Sequence, residues 1–226
     1  MARGSSSIPK LPDLATQLMQ GAANAQQDAI KEVNKREKRA ITMDMLTLFE
    51  NAIARKENWS DFEKSLRFTV CLLAWWGSFR LGELLGSRTT VFHCSSSLLA
   101  SDLRFHEGSV SVWLRSPKVS NEPTGDVVEV WAVDEMPELD PLRALHSYLQ
   151  LRKNIFGDAP DYPLFLHENG SIFTKQHMNA DLRDFLSVYP QLNTDVDKWT
   201  GHCFRSGIST LLRTLGYKAG CVWDFN

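Results

Sequence analysis

Apolar positions along the chain recur with two different periods, and the change from one to the other outlines the architecture. Leu14, Leu18, Ala22 and Ala25 fall at helical spacing and predict a helix near residues 13–31. A charged stretch to Arg39 follows, after which Thr42 is placed to cap a helix running to about Ala54. Ser60-Asp61-Phe62-Glu63 has the form of a capping box and opens a long helix whose apolar run, beginning at Phe68, ends at Trp76. Asp140 followed by Pro141 sets a cap and then proline at the first helical position, predicting a helix to about Lys153. Thr174 caps another through Val188, and a last helix carries His202 and Arg205 and ends at Gly216. Between these helices the period drops to two. Val110, Val112 and Leu114 alternate with Ser111, Trp113 and Arg115, as in a half-buried strand over 109–116, and residues 126–133 read as its partner. The polar, turn-rich connection from Pro117 to Gly125 predicts a mobile hairpin. The fold class is mainly α with a small antiparallel β-sheet (α+β), and no internal repeat is present.

Composition narrows this only a little. The 226 residues, 43% of them hydrophobic, suffice for one main domain with an appendage. The apolar run ending at Trp76 is bounded by Arg67 and falls short of a membrane span. The amino terminus lacks the apolar core of a secretory signal, so the expectation is an intracellular protein with no membrane partner. Cys71, Cys94, Cys203 and Cys221 are scattered, in no zinc-site or dithiol spacing, and read as reduced thiols with no metal. His106, His146, His167 and His177 read as surface or edge residues. A net charge of −2 argues mildly against a nucleic-acid binder. A binding face can nevertheless be positive while the far side is acidic. Basic residues gather at 31–39, on the hairpin at Arg115 and Lys118, and at Lys175, while an acidic run spans 134–140.

Three constellations carry candidate chemistry. His202 and Arg205, within Gly201-His202-Cys203-Phe204-Arg205-Ser206-Gly207, stand one helical turn apart, offering a proton-transfer group and a fixed positive charge on one face. Arg80, within Gly77-Ser78-Phe79-Arg80-Leu81-Gly82-Glu83, follows strongly apolar sequence and calls for a carboxylate or an anion, with Glu83 one turn on. Lys118 sits where the first strand enters the hairpin turn. Taken singly, each has a plainer reading: a solvated helix edge, an intrahelical ion pair, a solubility charge.

Together and in this order, the three constellations resemble the catalytic domain of tyrosine recombinases, the DNA breaking and rejoining enzymes that include phage integrases. The phrasing, with Lys38-Arg39-Ala40-Ile41-Thr42 opening the domain, is nearest to recombinases of eukaryotic retroelements and Crypton-like transposons. The resemblance makes Arg80 the first catalytic arginine, Glu83 the acidic residue that orients it, Lys118 the hairpin lysine, and His202-Cys203-Phe204-Arg205 the His-x-x-Arg motif. It implies attack of a tyrosine hydroxyl on a DNA phosphate, a 3′-phosphotyrosine intermediate, and no metal or other cofactor. Arg80 and Arg205 would clamp the non-bridging oxygens, Lys118 would protonate the leaving 5′-oxygen, and His202 would take the proton of the nucleophile or hold the phosphate. Double-stranded DNA is the implied partner, with copies of the chain assembling on it. Nuclear residence and DNA integration by a mobile element are implied too.

The resemblance covers about residues 38–216. It makes 38–226 the catalytic domain and 1–37 a remnant of an amino-terminal helical DNA-binding domain plus linker. The family's nucleophilic tyrosine, and the His or Trp before it, would fall beyond Asn226 at the usual spacing; Tyr217 and Trp223 come too early. The expectation is a carboxy-terminally truncated recombinase without its nucleophile, inactive alone. The alternatives are a non-catalytic DNA-binding relic and a helical interaction domain.

Overall fold

The computed structural model describes residues 39–85, 97–115, 125–189 and 198–217. The helix expected near 13–31, the hairpin tip with Lys118, and Cys94 and Cys221 lie outside these residues. Six helices are described, α1 (Met43–Ala54), α2 (Asp61–Trp76), α3 (Leu81–Leu84), α4 (Pro141–Phe156), α5 (Lys175–Ser187) and α6 (His202–Thr214). Three strands, β1 (Leu103–His106), β2 (Ser109–Leu114) and β3 (Asp126–Trp131), form an antiparallel meander in the order β1-β2-β3. The mainly helical α+β class is as expected. No helix among the described residues is long and apolar enough to cross a membrane.

The predicted starts hold because each is set by a side-chain oxygen that accepts an N–H of the first turn. Thr42 accepts from Met45, Ser60 from Glu63, Asp140 from Leu142 and Thr174 from His177. α4 runs three residues past its expected end, to Phe156 before Gly157. The strands are shorter than expected, β2 stopping at Leu114 and β3 at Trp131. Val110, Val112 and Leu114 do face the core. β1 is an addition to the sequence reading: its residues are mostly exposed, so burial leaves no period in them. The local signal is Glu107-Gly108, a two-residue hairpin loop with Gly108 at φ 75°, between His106 and its register partner Ser109.

α2 is the axis of the molecule. Residues 70–75 are fully buried, which suits a helix apolar on all sides, and α1, α4, α6 and β3 pack around it. Its amino-terminal half carries a buried charge network. Arg67, only 6% exposed, lies over the Trp59 ring with its guanidinium carbon 3.9 Å from the ring centroid. It pairs with Glu63 on its own helix and, at 2.8 Å, with Asp181 of α5. The capping box expected at Ser60 is therefore only half formed: Glu63 turns toward Arg67, His167 and the Glu168 N–H instead of back to its own cap. His167 and His177, expected as surface or edge residues, contact each other at 3.1 Å and extend this network.

At its other end α2 breaks. Gly77 closes the helix, Ser78 takes φ 52°, and Phe79 turns into the core before Arg80. A serine at positive φ is strained, and this one is also buried, with its hydroxyl making no hydrogen bond.

Two outcomes are expected. Ser78→Gly should raise stability by about 1 kcal/mol in denaturant melts, because glycine relieves both the backbone strain and the orphaned hydroxyl; a destabilised glycine variant would contradict the strain. Acid should act through Glu63. Burial pushes its carboxyl up, but hydrogen bonds from His167, Arg67 and the Glu168 N–H outweigh it and hold the carboxyl down to about 2, against an ordinary 4.5. A depressed acid stabilises fully above its unfolded value, and that stability is lost as pH falls through the folded one. Asp181 moves the other way: its carboxyl is raised chiefly by its deeper burial, so it gains stability as pH falls through its folded value and offsets part of the loss. The Glu63 contribution alone should thus fall by about 3 kcal/mol between pH 4.5 and 2, with a smaller net decline, and Glu63→Gln should flatten it.

Candidate functional site

The turn at Ser78 delivers Arg80 to the amino-terminal edge of α3 as its N-cap residue. Arg80 is therefore not embedded in a continuing helix, as its apolar surroundings suggest. Glu83 holds it twice, Oε2 accepting the Arg80 backbone N–H and Oε1 accepting from the guanidinium, both at 2.8 Å. The Glu83 side chain is 7% exposed and that of Arg80 35%, so the carboxylate is spent inward while part of the guanidinium faces outward. A carboxylate bonded to both ends of one arginine fixes its rotamer. The remaining guanidinium donors keep their fork geometry for another acceptor.

α6 reaches the same place from the other end of the chain. Gly201, its N-cap, lies against the Leu81 side chain with no room for a Cβ, which brings the start of α6 onto the start of α3. Two residues on, Cys203 accepts at its carbonyl from the Ile41 N–H at 3.0 Å. One further turn on, Gly207 abuts the Ile41 carbonyl, which also accepts from the Trp75 indole N–H at 2.8 Å. These contacts fix the rotation of α6. His202 is exposed at its amino terminus, and Arg205 is half-buried one turn later.

Arg80 comes close enough to Arg205 for its charge to act on that side chain. Burial first, and then the Arg80 charge, push the Arg205 guanidinium below its usual range, with Glu83 opposing. Two guanidinium groups beside one buried carboxylate, with an imidazole next along the helix, form a half-open cationic recess suited to an oxyanion with several acceptor oxygens. Of the predicted residues, Arg80, Glu83 and Arg205 gather here, and His202 stands one turn from Arg205. Lys118 lies outside the described residues.

The root of its hairpin is nevertheless built. Asp102, 1% exposed at its side chain, receives Arg115 through both carboxylate oxygens at 2.7 to 3.0 Å and also caps the Leu99 N–H. Neither Asp102 nor Ser78 was distinguished by sequence reasoning. Asp102 has no spacing rule to mark it, whereas a serine next to a helix-ending glycine was a readable sign of an unusual turn. Among the described residues no group of His, Cys, Asp and Glu is arranged to hold a metal ion, and Cys71 and Cys203 are buried thiols whose ionisation burial opposes.

No protein-family model matches the chain, and no curated protein is similar to it in sequence. Solved structures are similar in shape. The XerH site-specific recombinase bound to difH substrate, a pre-cleavage complex, aligns with a TM-score of 0.54 at 15% identity, covering 82% of this chain and 46% of that one. The post-cleavage complex of XerH with palindromic difH substrate aligns at 0.51 and 13%, covering 81% and 48%. This chain thus spans a little under half the length of those recombinase chains. At such identity the likeness is one of fold alone, and the fold of this chain is that of a tyrosine recombinase catalytic domain.

Proposed function

We propose that this chain binds duplex DNA by clamping a backbone phosphate between Arg80 and Arg205, as the core of an enzyme that breaks and rejoins DNA strands in site-specific recombination or integration. The observation that carries the reading is the convergence of two arginines, far apart in sequence, on one recess in a fold shared with DNA-bound recombinases. In this reading Glu83 orients Arg80, and the two guanidinium groups meet the non-bridging oxygens where negative charge grows during phosphoryl transfer. His202 accepts the proton of the attacking hydroxyl or holds the phosphate, and Lys118 protonates the leaving 5′-oxygen. Copies of the chain assemble on the DNA, and a nuclear mobile element is the setting that the sequence resemblance suggests.

In this reading the attacking tyrosine is not Tyr217, which follows Arg205 too soon in the sequence for the family's spacing. From Arg205 to the end of α6 at Thr214 the helix rises roughly 14 Å, and Tyr217 lies beyond that end. The nucleophile in this reading is a hydroxyl from outside the described residues, on this polypeptide or on another copy. The second reading is a DNA-binding relic that keeps the clamp and cleaves nothing.

Fluorescence anisotropy with duplex DNA at several salt concentrations tests the clamp. Arg205→Ala and Arg80→Ala should each weaken binding and lower the salt slope by about one, without unfolding the protein. Glu83→Ala should weaken binding and also cost about 1–2 kcal/mol in denaturant melts, since it leaves the Arg80 backbone N–H without its acceptor. Unchanged affinity in the arginine variants would sink the reading. A nicked suicide duplex then separates its two forms: a covalent protein–DNA adduct marks the enzyme, and tight binding without one marks the relic.

A further inference from the structure

The helix that presents His202 and Arg205 has no cap of its own. Gly201, at its N-cap position, offers no side chain to the first turn, whose N–H groups need acceptors. One acceptor comes from another helix: the Gly201 N–H donates to Asn179 Oδ1 on α5 at 2.9 Å. Two residues along α5, Asp181 grips the buried Arg67 of α2. Side chains two apart leave a helix in different directions, so α5 acts as a strut. One side is locked onto the molecular axis through a buried ion pair, and the other holds the end of α6 from which the recess is built.

We infer that Asn179 is a positioning residue, setting the angle and height at which α6 offers His202 and Arg205 to a DNA phosphate. This inference rests on the phosphate reading above. It makes a specific chemical demand on position 179, for an oxygen acceptor without negative charge. An aspartate would cap α6 as well or better, because a carboxylate is favoured at the positive end of a helix dipole. Its charge, however, would stand at the start of α6, four residues or ~6 Å of helical rise before Arg205, where it would draw on the guanidinium in competition with the phosphate. An alanine would remove the acceptor and leave the Gly201 N–H without it. The two replacements therefore separate a role in holding the fold, which Asp preserves, from a role in serving the anion site, which Asp damages.

The test uses the whole chain, a mixed-sequence DNA duplex at fixed low salt, and thermal melts in parallel. Asn179→Asp should melt at or above the wild-type temperature yet bind the duplex at least about fivefold more weakly. Asn179→Ala should lose about 3 °C in melting temperature and also bind more weakly. In an Arg205→Ala background the aspartate should lose most of its effect on binding, because the charge it competes for is gone. An Asn179→Asp variant that binds as tightly as the wild type, or whose deficit is undiminished without Arg205, overturns the assignment of Asn179 while leaving the phosphate clamp standing. Arg205→Ala that binds like the wild type overturns the clamp itself, and the role of Asn179 with it.

Discussion

Both hydrogen-bonding groups of the Ile41 backbone are used to join two helices that are remote in sequence. Its N–H donates to Cys203 of α6, and its carbonyl accepts from the Trp75 indole of α2, wedged against Gly207. Any side chain at position 207 would push α6 away from α2. Because α2 is the buried axis and α6 carries His202 and Arg205, that displacement would move the recess as well as the core. Residues 39–41, which precede all the helices described, thus act as a splice between the first and last parts of the chain. Arg39 continues it by lying over the Trp199 ring just before α6.

How much could be read from the sequence followed from how local each determinant is. The helix starts were readable at Thr42, Ser60, Asp140 and Thr174 because a cap is made by residues within three positions of one another. β2 was readable from the strict alternation of its buried valines, whereas β1, exposed on most of its length, has no such period. The charge network of Arg67, Glu63, His167, His177 and Asp181 was invisible because its members come from three separate segments. Glu63 shows the limit well: its place at the third helical position predicts a capping box, and a buried arginine one turn on claims the carboxylate instead.

The candidate site divides in the same way. The pairs Arg80 with Glu83 and His202 with Arg205 are each one helical turn apart and stand out in the sequence. That the two pairs meet depends on Gly201 resting on Leu81 and Gly207 resting on Ile41, contacts that neither motif contains. The turn feeding Arg80 and the cross-helix cap from Asn179 are likewise three-dimensional facts. Sequence supplied the chemistry of the recess, and packing supplied its assembly.

The Arg80, Glu83 and Arg205 trio also has a charge stoichiometry. Counted among these three side chains alone, two guanidinium groups and one inward-facing carboxylate differ by one charged group, and a phosphodiester likewise carries one charge. A terminal phosphate monoester, carrying up to about two negative charges at the same pH, would leave an excess in a half-buried place where uncompensated charge is poorly tolerated. The proposed clamp is thereby matched to the interior of a nucleic-acid strand in preference to its phosphorylated end, a selectivity set by Glu83 without any contact between that residue and the ligand.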